Sequence, residues 1–380
     1  MNSSETILEK RSSYETKSLI SNIILQQGPQ NERVIISDWN GNIHILRNIG
    51  GTRLQLLKEK KLFDSPILGM DEKRSKEGSS DELFVGSGDG QLKCYDAKND
   101  KLIDFGQDPE RRPIAKIIST DDRVFTFTWK RAMLYWEIKS KEYTFRHDLK
   151  ENFIEAEYAD PWILILLGNN TIAFINIETY RKGSTLKYKT IGYEEITKSI
   201  SCYNKKINYL ALGDTRGGIK ILQKRENEGN YNLLSDKDQL TEDFSLLFVI
   251  KAHVMKIPPH IIDNPKPLNV EFPVNALEFK PNDKNILLSG GGDFSINIID
   301  IEEEKGTKVK GYKFDDSKGK FTRPFTHLKF FSNGTSLITA DINPDYYNII
   351  ENNKIENLSS TVCLFTLSEN ERSKAWNNRY

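Results

Sequence analysis

The residues able to do chemistry are few and scattered. The five histidines, at positions 44, 147, 253, 260 and 327, show neither HxH nor HExxH spacing, so no local metal site or zinc-hydrolase motif is written into the chain. Cys94, Cys202 and Cys363 stand far apart without CxxC spacing, which excludes a disulfide framework and a sequence-local zinc site and points to a reducing compartment. No GxSxG, P-loop or GxGxxG is present, and Gly290-Gly291-Gly292 reads as a turn between strands rather than a phosphate cradle. Neither catalysis nor a cofactor is expected. What stands out instead are Trp39 and Trp129, each in a turn rather than inside an apolar run, where an exposed indole offers large rigid contact area at little entropic cost.

The elements that must position these residues are short strands in a repeated unit. It is read in Arg33 to Leu46, Glu82 to Asp96, Arg123 to Glu137, Ile163 to Glu178, Tyr209 to Leu222, Ile286 to Glu302, and a stretched copy from Ser336 that resumes at Ser359. Each is an alternating β-branched or aromatic pair of runs around a turn such as Asn40-Gly41, Asp89-Gly90, Asn169-Asn170 or Gly217-Gly218, the residue types that a positive φ favours. A short alternating run precedes every pair and a more polar one follows all but the last. Units of roughly 40 residues of this kind predict an all-β, seven-bladed β-propeller built as a single domain over residues 1–380. The seventh unit lacks a fourth strand, and the segment around Thr6 to Glu9 is predicted to supply it and close the ring. Charged or Asn-rich stretches at 71–82, 224–243 and 343–358 are expected to be loop insertions, and 368–380 a polar tail.

Composition narrows the function further. Lys+Arg and Asp+Glu both number 54, so the chain has no global basic field for a nucleic acid or an anionic membrane. The opening MNSSETILEKRSSYETK is polar and charged, unlike a secretory signal, and the longest apolar run, Trp162 to Leu167, is too short to span a bilayer. No small-molecule substrate is indicated either.

His253 ahead of the sixth unit, Ser289 on its first central run and Asp293 in its turn resemble the His, Ser and Asp of the hydrogen-bonded tetrad in WD-repeat blades, with Ile299-Asp300 where that family has Trp-Asp. Their expected role is structural, pinning turn to strand. The stretch Phe248 to Ile301, with FVIKAH and then FPVNALEFKPNDKNILLSGGGDFSINIIDIE, is more specifically similar to the Bub family of spindle-checkpoint WD-repeat proteins and its mRNA-export paralogue at nuclear pores. Ser37-Asp38-Trp39-Asn40-Gly41, Thr128-Trp129 and Leu186-Lys187-Tyr188-Lys189-Thr190 resemble further landmarks of that family in the same order.

The resemblance implies an adaptor of the mitotic spindle assembly checkpoint, found in the nucleus, at kinetochores and partly in the cytoplasm. Its top face would bind GLEBS-type segments of a checkpoint kinase or pseudokinase, with a phosphorylated kinetochore scaffold as a further partner. Trp39 and Trp129 match the peptide-lining tryptophans, and Lys198 and Arg216 are the counterparts of the family's basic residues, Lys198 after an insertion and Arg216 displaced by about two positions. The alternatives are an mRNA-export factor binding a nucleoporin and a WD-repeat scaffold of another complex.

Overall fold

The computed structural model describes residues 7–26, 32–75, 78–190, 195–203, 209–224, 244–257, 268–293, 295–303, 305–309, 325–342 and 359–368. They form seven four-stranded sheets and one two-stranded sheet. The fold is an all-β, seven-bladed β-propeller. The first strands of blades 1 to 7 are Ile20–Gln26, Ile67–Ser75, Ile114–Ser119, Phe153–Ala159, Thr197–Tyr203, Val274–Phe279 and Phe325–Phe330. The second strands are Glu32–Asp38, Gly78–Ser87, Arg123–Thr128, Trp162–Leu167, Tyr209–Asp214, Ile286–Gly291 and Ser336–Ile342.

Two compact units divide the chain. Met1–Phe153, Phe294–Ile296 and Val309–Tyr380 form one, and Ile154–Asp293 with Asn297–Lys308 the other. In the first, strand alternation sends successive side chains to opposite faces of a blade. Val34 and Ile36 of blade 1 therefore pack with Ile338, Val362 and Leu364 of blade 7, while Ile35 between them packs with Ile67, Leu83 and Val85 of blade 2. The second unit is built the same way: Leu164 and Leu166 of blade 4 meet Leu210 and Leu212 of blade 5, and Ala211 turns to Val274 and Leu287 of blade 6.

Six of the first strands share a further device. Ile20↔Asp38 is followed by Asn22↔Ser37, Ile67↔Ser87 by Gly69↔Gly86, and Ile114↔Thr128 by Lys116↔Phe127. Thr197↔Asp214, Val274↔Gly291 and Phe325↔Asp341 are followed by the same one-residue slip. A bulge leaves one residue unpaired and re-aims it. Here that residue is Ser21, Leu68, Ala115, Lys198, Asn275 or Thr326.

The N-terminal strand is Ile7–Thr16, pairing with Ser360–Ser368 from Ile7↔Ser368 to Thr16↔Ser360. It completes blade 7 as expected and runs well beyond the 6–9 segment. The expected loop at 71–82 is corrected: Ile67–Ser75 and Gly78–Ser87 continue as paired strands through Arg74↔Ser79 and Ser75↔Gly78. Along that ribbon Lys73 pairs with Glu82, and the Glu72 Oε1 accepts from the Ser80 amide at 2.9 Å. Apart from Lys224 and Ser368, which end strands, the segments 224–243, 343–358 and 368–380 lie outside the described residues. The two-stranded sheet, Val254–Ile257 with Leu268–Glu271, was not foreseen.

Candidate functional site

Trp39 and Trp129 occupy equivalent places, one residue beyond the second strand of blades 1 and 3, and are 47% and 51% exposed. Their turns are fixed from beneath. In blade 1, Asp38 Oδ1 accepts from the amides of Asn40 at 3.0 Å and Asn42 at 2.8 Å, and the Trp39 amide donates to the Leu19 carbonyl at 2.9 Å. Two residues past Trp39, Gly41 takes φ 82, and a Cβ there would lie 2.1 Å from the Phe63 carbonyl oxygen. In blade 3 the same place is held by Arg131 at φ 56, a conformation costly for a non-glycine residue. Its side chain holds the neighbouring connection, donating to Asn152 Oδ1 at 3.1 Å and the Lys150 carbonyl at 3.3 Å. Both indoles are thus displayed on turns whose backbone is satisfied without them. Trp136 shows the opposite use of the same residue: 1% exposed, it packs edge-on against Phe105 and donates to Thr126 Oγ1 at 3.1 Å.

Lys198 and Arg216 both belong to blade 5. Arg216 lies in the turn after the second strand, where Asp214 Oδ1 accepts from its amide at 2.9 Å and from that of Gly218 at 2.7 Å, the arrangement seen at Asp38. Its guanidinium is exposed, 3.5 Å from Glu195. Lys198 is the bulge residue of the first strand, and its Nζ donates 2.9 Å to Asn275 Oδ1, the bulge residue of blade 6. Partial burial of the ammonium lowers its pKa below the ordinary lysine value, although the side chain reaches solvent. Ile196, 58% exposed and bonded through its carbonyl to the Thr215 amide, adds an apolar contact beside them that sequence reasoning missed.

The structure brings His253, Ser289 and Asp293 together. The His253 ring lies 2.6 Å from Asp293 Oδ1 through Nδ1 and 2.9 Å from Ser289 Oγ through Nε2. With the proton on Nδ1, the ring donates to the carboxylate and accepts from the hydroxyl. These are also the distances of a nucleophilic triad, yet Ser289 and His253 are each 0% exposed, which leaves no approach for a reacting carbonyl. The seat requires Gly291, where a Cβ would lie 2.2 Å from His253 Nδ1. Ile299, in place of the family's Trp, is buried and has no donor, while Asn297, unremarked in the sequence, donates to the Ala252 carbonyl at 2.9 Å.

A second histidine–aspartate pair was also missed. His44 Nε2 lies 3.1 Å from Asp38 Oδ2 and its Nδ1 3.1 Å from the Tyr14 hydroxyl. Burial alone would raise the Asp38 carboxyl, but the hydrogen bonds from His44 and Asn42 outweigh it and hold it below the usual carboxylate value. The signal that could have found it is the register: His44 follows the clamp aspartate by six residues on the adjoining strand, and Lys220 follows Asp214 in the same way, 3.8 Å away. Among the described residues no cluster of His, Cys, Asp and Glu suited to a metal is found. Compared with known families and with curated proteins, the sequence matches none.

Proposed function

We propose that the protein is an adaptor of the spindle assembly checkpoint that binds GLEBS-type peptide segments of a checkpoint kinase or its pseudokinase relative and helps bring them to kinetochores in the nucleus. Its fold is that of a WD-repeat-type interaction scaffold, a rigid frame whose turns are available for contacts. The observation that carries the proposal is the pair of half-exposed indoles on clamped turns. Aromatic side chains displayed at no cost to the core are the residues that dominate peptide affinity at interfaces. Lys198 and Arg216 on blade 5 are basic residues available to acidic peptide side chains, each tested on its own.

Replacing Trp39 and Trp129 together with Ala leaves the melting temperature nearly unchanged, because the clamps at Asp38 and Arg131 remain. Binding of a GLEBS-type peptide, read by calorimetry, weakens by about 2 kcal/mol or more. Loss of folding would show that the indoles are packing residues, and unchanged affinity would remove them from the site. A pull-down from mitotically arrested cells returns checkpoint kinase under this reading and nucleoporins under the export reading. Lys198→Glu and Arg216→Glu test the basic counterparts by the same calorimetry. A loss that shrinks with added salt marks a contact at an exposed rim.

A further inference from the structure

The end of blade 1 away from Trp39 carries a polar row that crosses all four strands. Gln26 pairs with Arg33, Arg33 with Arg47, and Arg47 with Gln55, so the four side chains lie side by side on one face of the sheet. The next row on that face, Ile24, Ile35 and Ile45, packs against blade 2. Arg33 lies about 20 Å along the strand from Trp39. The two halves of the polar row differ. Gln26 and Arg33 are engaged by the ribbon of blade 2: Gln26 Nε2 donates to the Ser80 carbonyl at 2.8 Å, and the Arg33 guanidinium donates to Asp81 Oδ1 at 2.6 Å. Arg47 and Gln55 are exposed, and among the described residues their side chains make no hydrogen bond or ion pair. Further out on the same face Ile49 pairs with Arg53; Ile49 is 41% exposed, and Arg53 is exposed and equally without a partner among the described residues.

Like charges directly opposite one another in a ladder repel. In the neighbouring blades such places are balanced. Arg123 of blade 3 stands opposite Glu137; Glu82 of blade 2 stands opposite Asp96, but Glu82 pairs with Lys73 and Asp96 accepts from the Asn99 amide at 2.9 Å. Arg33 opposite Arg47 is compensated by Asp81 alone. Asp100 of blade 2, which also reaches this face, is taken by Lys58 at 2.6 Å and Lys60 at 2.5 Å, and Glu32, on the opposite face, accepts from Asn48 Nδ2 at 2.7 Å. We infer that Arg47, Ile49, Arg53 and Gln55 form a docking surface for an extended acidic segment of a partner protein, at the opposite end of blade 1 from the tryptophan. Ser80 and Asp81 show the mode within the molecule, a carbonyl on a glutamine and a carboxylate on an arginine, and Gln55 with Arg47 repeats that pair of donors.

The spacing selects the segment. Arg53 is the diagonal neighbour of Arg47 across the two strands, a backbone separation of about 7–8 Å. In an extended peptide, side chains two residues apart point the same way and stand about 7 Å apart, whereas adjacent ones point to opposite sides. A Glu-x-Glu segment therefore brings one carboxylate to each guanidinium, whose planar fork binds it through two parallel hydrogen bonds. Ile49, beside both arginines, supplies an apolar floor. The surface is independent of the two tryptophans, and it offers no aromatic ring on which a nucleic-acid base could stack.

The test uses the full chain and labelled synthetic peptides of Thr, Val and Ser carrying two glutamates two residues apart, read by fluorescence anisotropy. Counterparts make the glutamates adjacent, or replace them with glutamine, lysine or phosphoserine, and an oligouridylate is run alongside. The Glu-x-Glu peptide is expected to bind about tenfold more tightly than the adjacent-glutamate and glutamine peptides, and more weakly as salt is added. Arg47→Glu combined with Arg53→Glu abolishes that binding at an unchanged melting temperature, and the reversed protein binds the Lys-x-Lys peptide instead. Should the reversal unfold the chain, Arg47→Gln with Arg53→Gln is read in its place and loses about tenfold. Undetectable binding of Glu-x-Glu, or equal binding to the parent and the variants, overturns the inference. So does a preference for phosphoserine or for oligouridylate, each of which names another class of ligand. Binding that survives the reversal but is lost in Trp39→Ala places the peptide at the other end of the blade and is equally fatal. If the peptide binds only when the chain is shortened to end at Ser368, the protein's own Glu369-Asn370-Glu371 holds the surface. If sedimentation shows a dimer that Arg47→Glu dissolves, a second copy holds it. Either result removes the partner segment.

Discussion

Blade 1 and blade 6 each bury a histidine against an aspartate, and the two pairs do different work. In blade 6 the imidazole reaches from the loop ahead of the blade, bonding Asp293 through Nδ1 and Ser289 through Nε2, both residues of that blade. In blade 1 the ring sits on the third strand and bonds Asp38 through Nε2, which leaves Nδ1 for Tyr14 on the N-terminal strand. The first arrangement fixes a turn to its own sheet. The second ties blade 1 to a strand that pairs with Ser360–Ser368, the far end of the described chain. One chemical pair therefore serves local order in one place and long-range closure in another, according to which ring nitrogen is left over.

The sharpest way to break this comparison is to remove the strand that only one pair uses. Deleting residues 1–16 strips Tyr14 from His44 and exposes the edge of Ser360–Ser368, together with the Val362 and Leu364 cluster behind it. The expected loss is on the order of 5 kcal/mol, or loss of a single cooperative transition by calorimetry. A transition like that of the full chain would show that the strand is an ornament and that blade 1's pair is as local as blade 6's.

A smaller effect separates the two histidines directly. His253→Ala leaves the Asp293 carboxylate buried without its ring partner, a situation that costs about 3–5 kcal/mol. His44→Ala is expected to cost about 1–2 kcal/mol, because Asp38 keeps the amides of Asn40 and Asn42 and the Asn42 side chain at 3.0 Å. Urea denaturation of both variants checks the order. Equal losses would mean that the redundancy at Asp38 carries no weight.

The difference between the blades also explains what the sequence could and could not reveal. The seven repeats, their first strands and the turns at Gly41, Gly90 and Gly217 were readable because period-two alternation and positive φ leave local signatures. His253, Ser289 and Asp293 were readable through a known motif confined to one blade. Tyr14 and His44 were not, because their meeting depends on strand pairing between residues far apart in the chain, which no local pattern encodes. Residues 71–82 misled for a related reason: a composition that looks like a loop is carried on paired strands, where Lys73 meets Glu82 across the ladder. Lys198 was singled out only through the family resemblance, and its bulge, which turns it toward Asn275, follows from a register slip invisible in the residues themselves.

The finest distinction is in the response to acid. Asp38 has a carboxyl held below its ordinary value, so in the unfolded chain, where it titrates at about pH 3.9, it takes up a proton more readily than in the fold. Its stabilising contribution is therefore complete above about pH 4 and disappears as pH falls through the lower folded value. Asp38→Asn removes that contribution while retaining an oxygen for the Asn40 and Asn42 amides, and His44 can adopt the tautomer that donates to Tyr14. At neutral pH the variant should be less stable by on the order of 1 kcal/mol, and its stability should fall less steeply than the parent's below about pH 4. Asp89 and Asp100, whose carboxyls are also held low by hydrogen bonds, remain in both proteins and cancel in the difference. Parallel acid limbs for the two proteins would show that the His44 bond to Asp38 does not depend on the carboxylate's charge, and the pair in blade 1 would then be a neutral spacer for Tyr14.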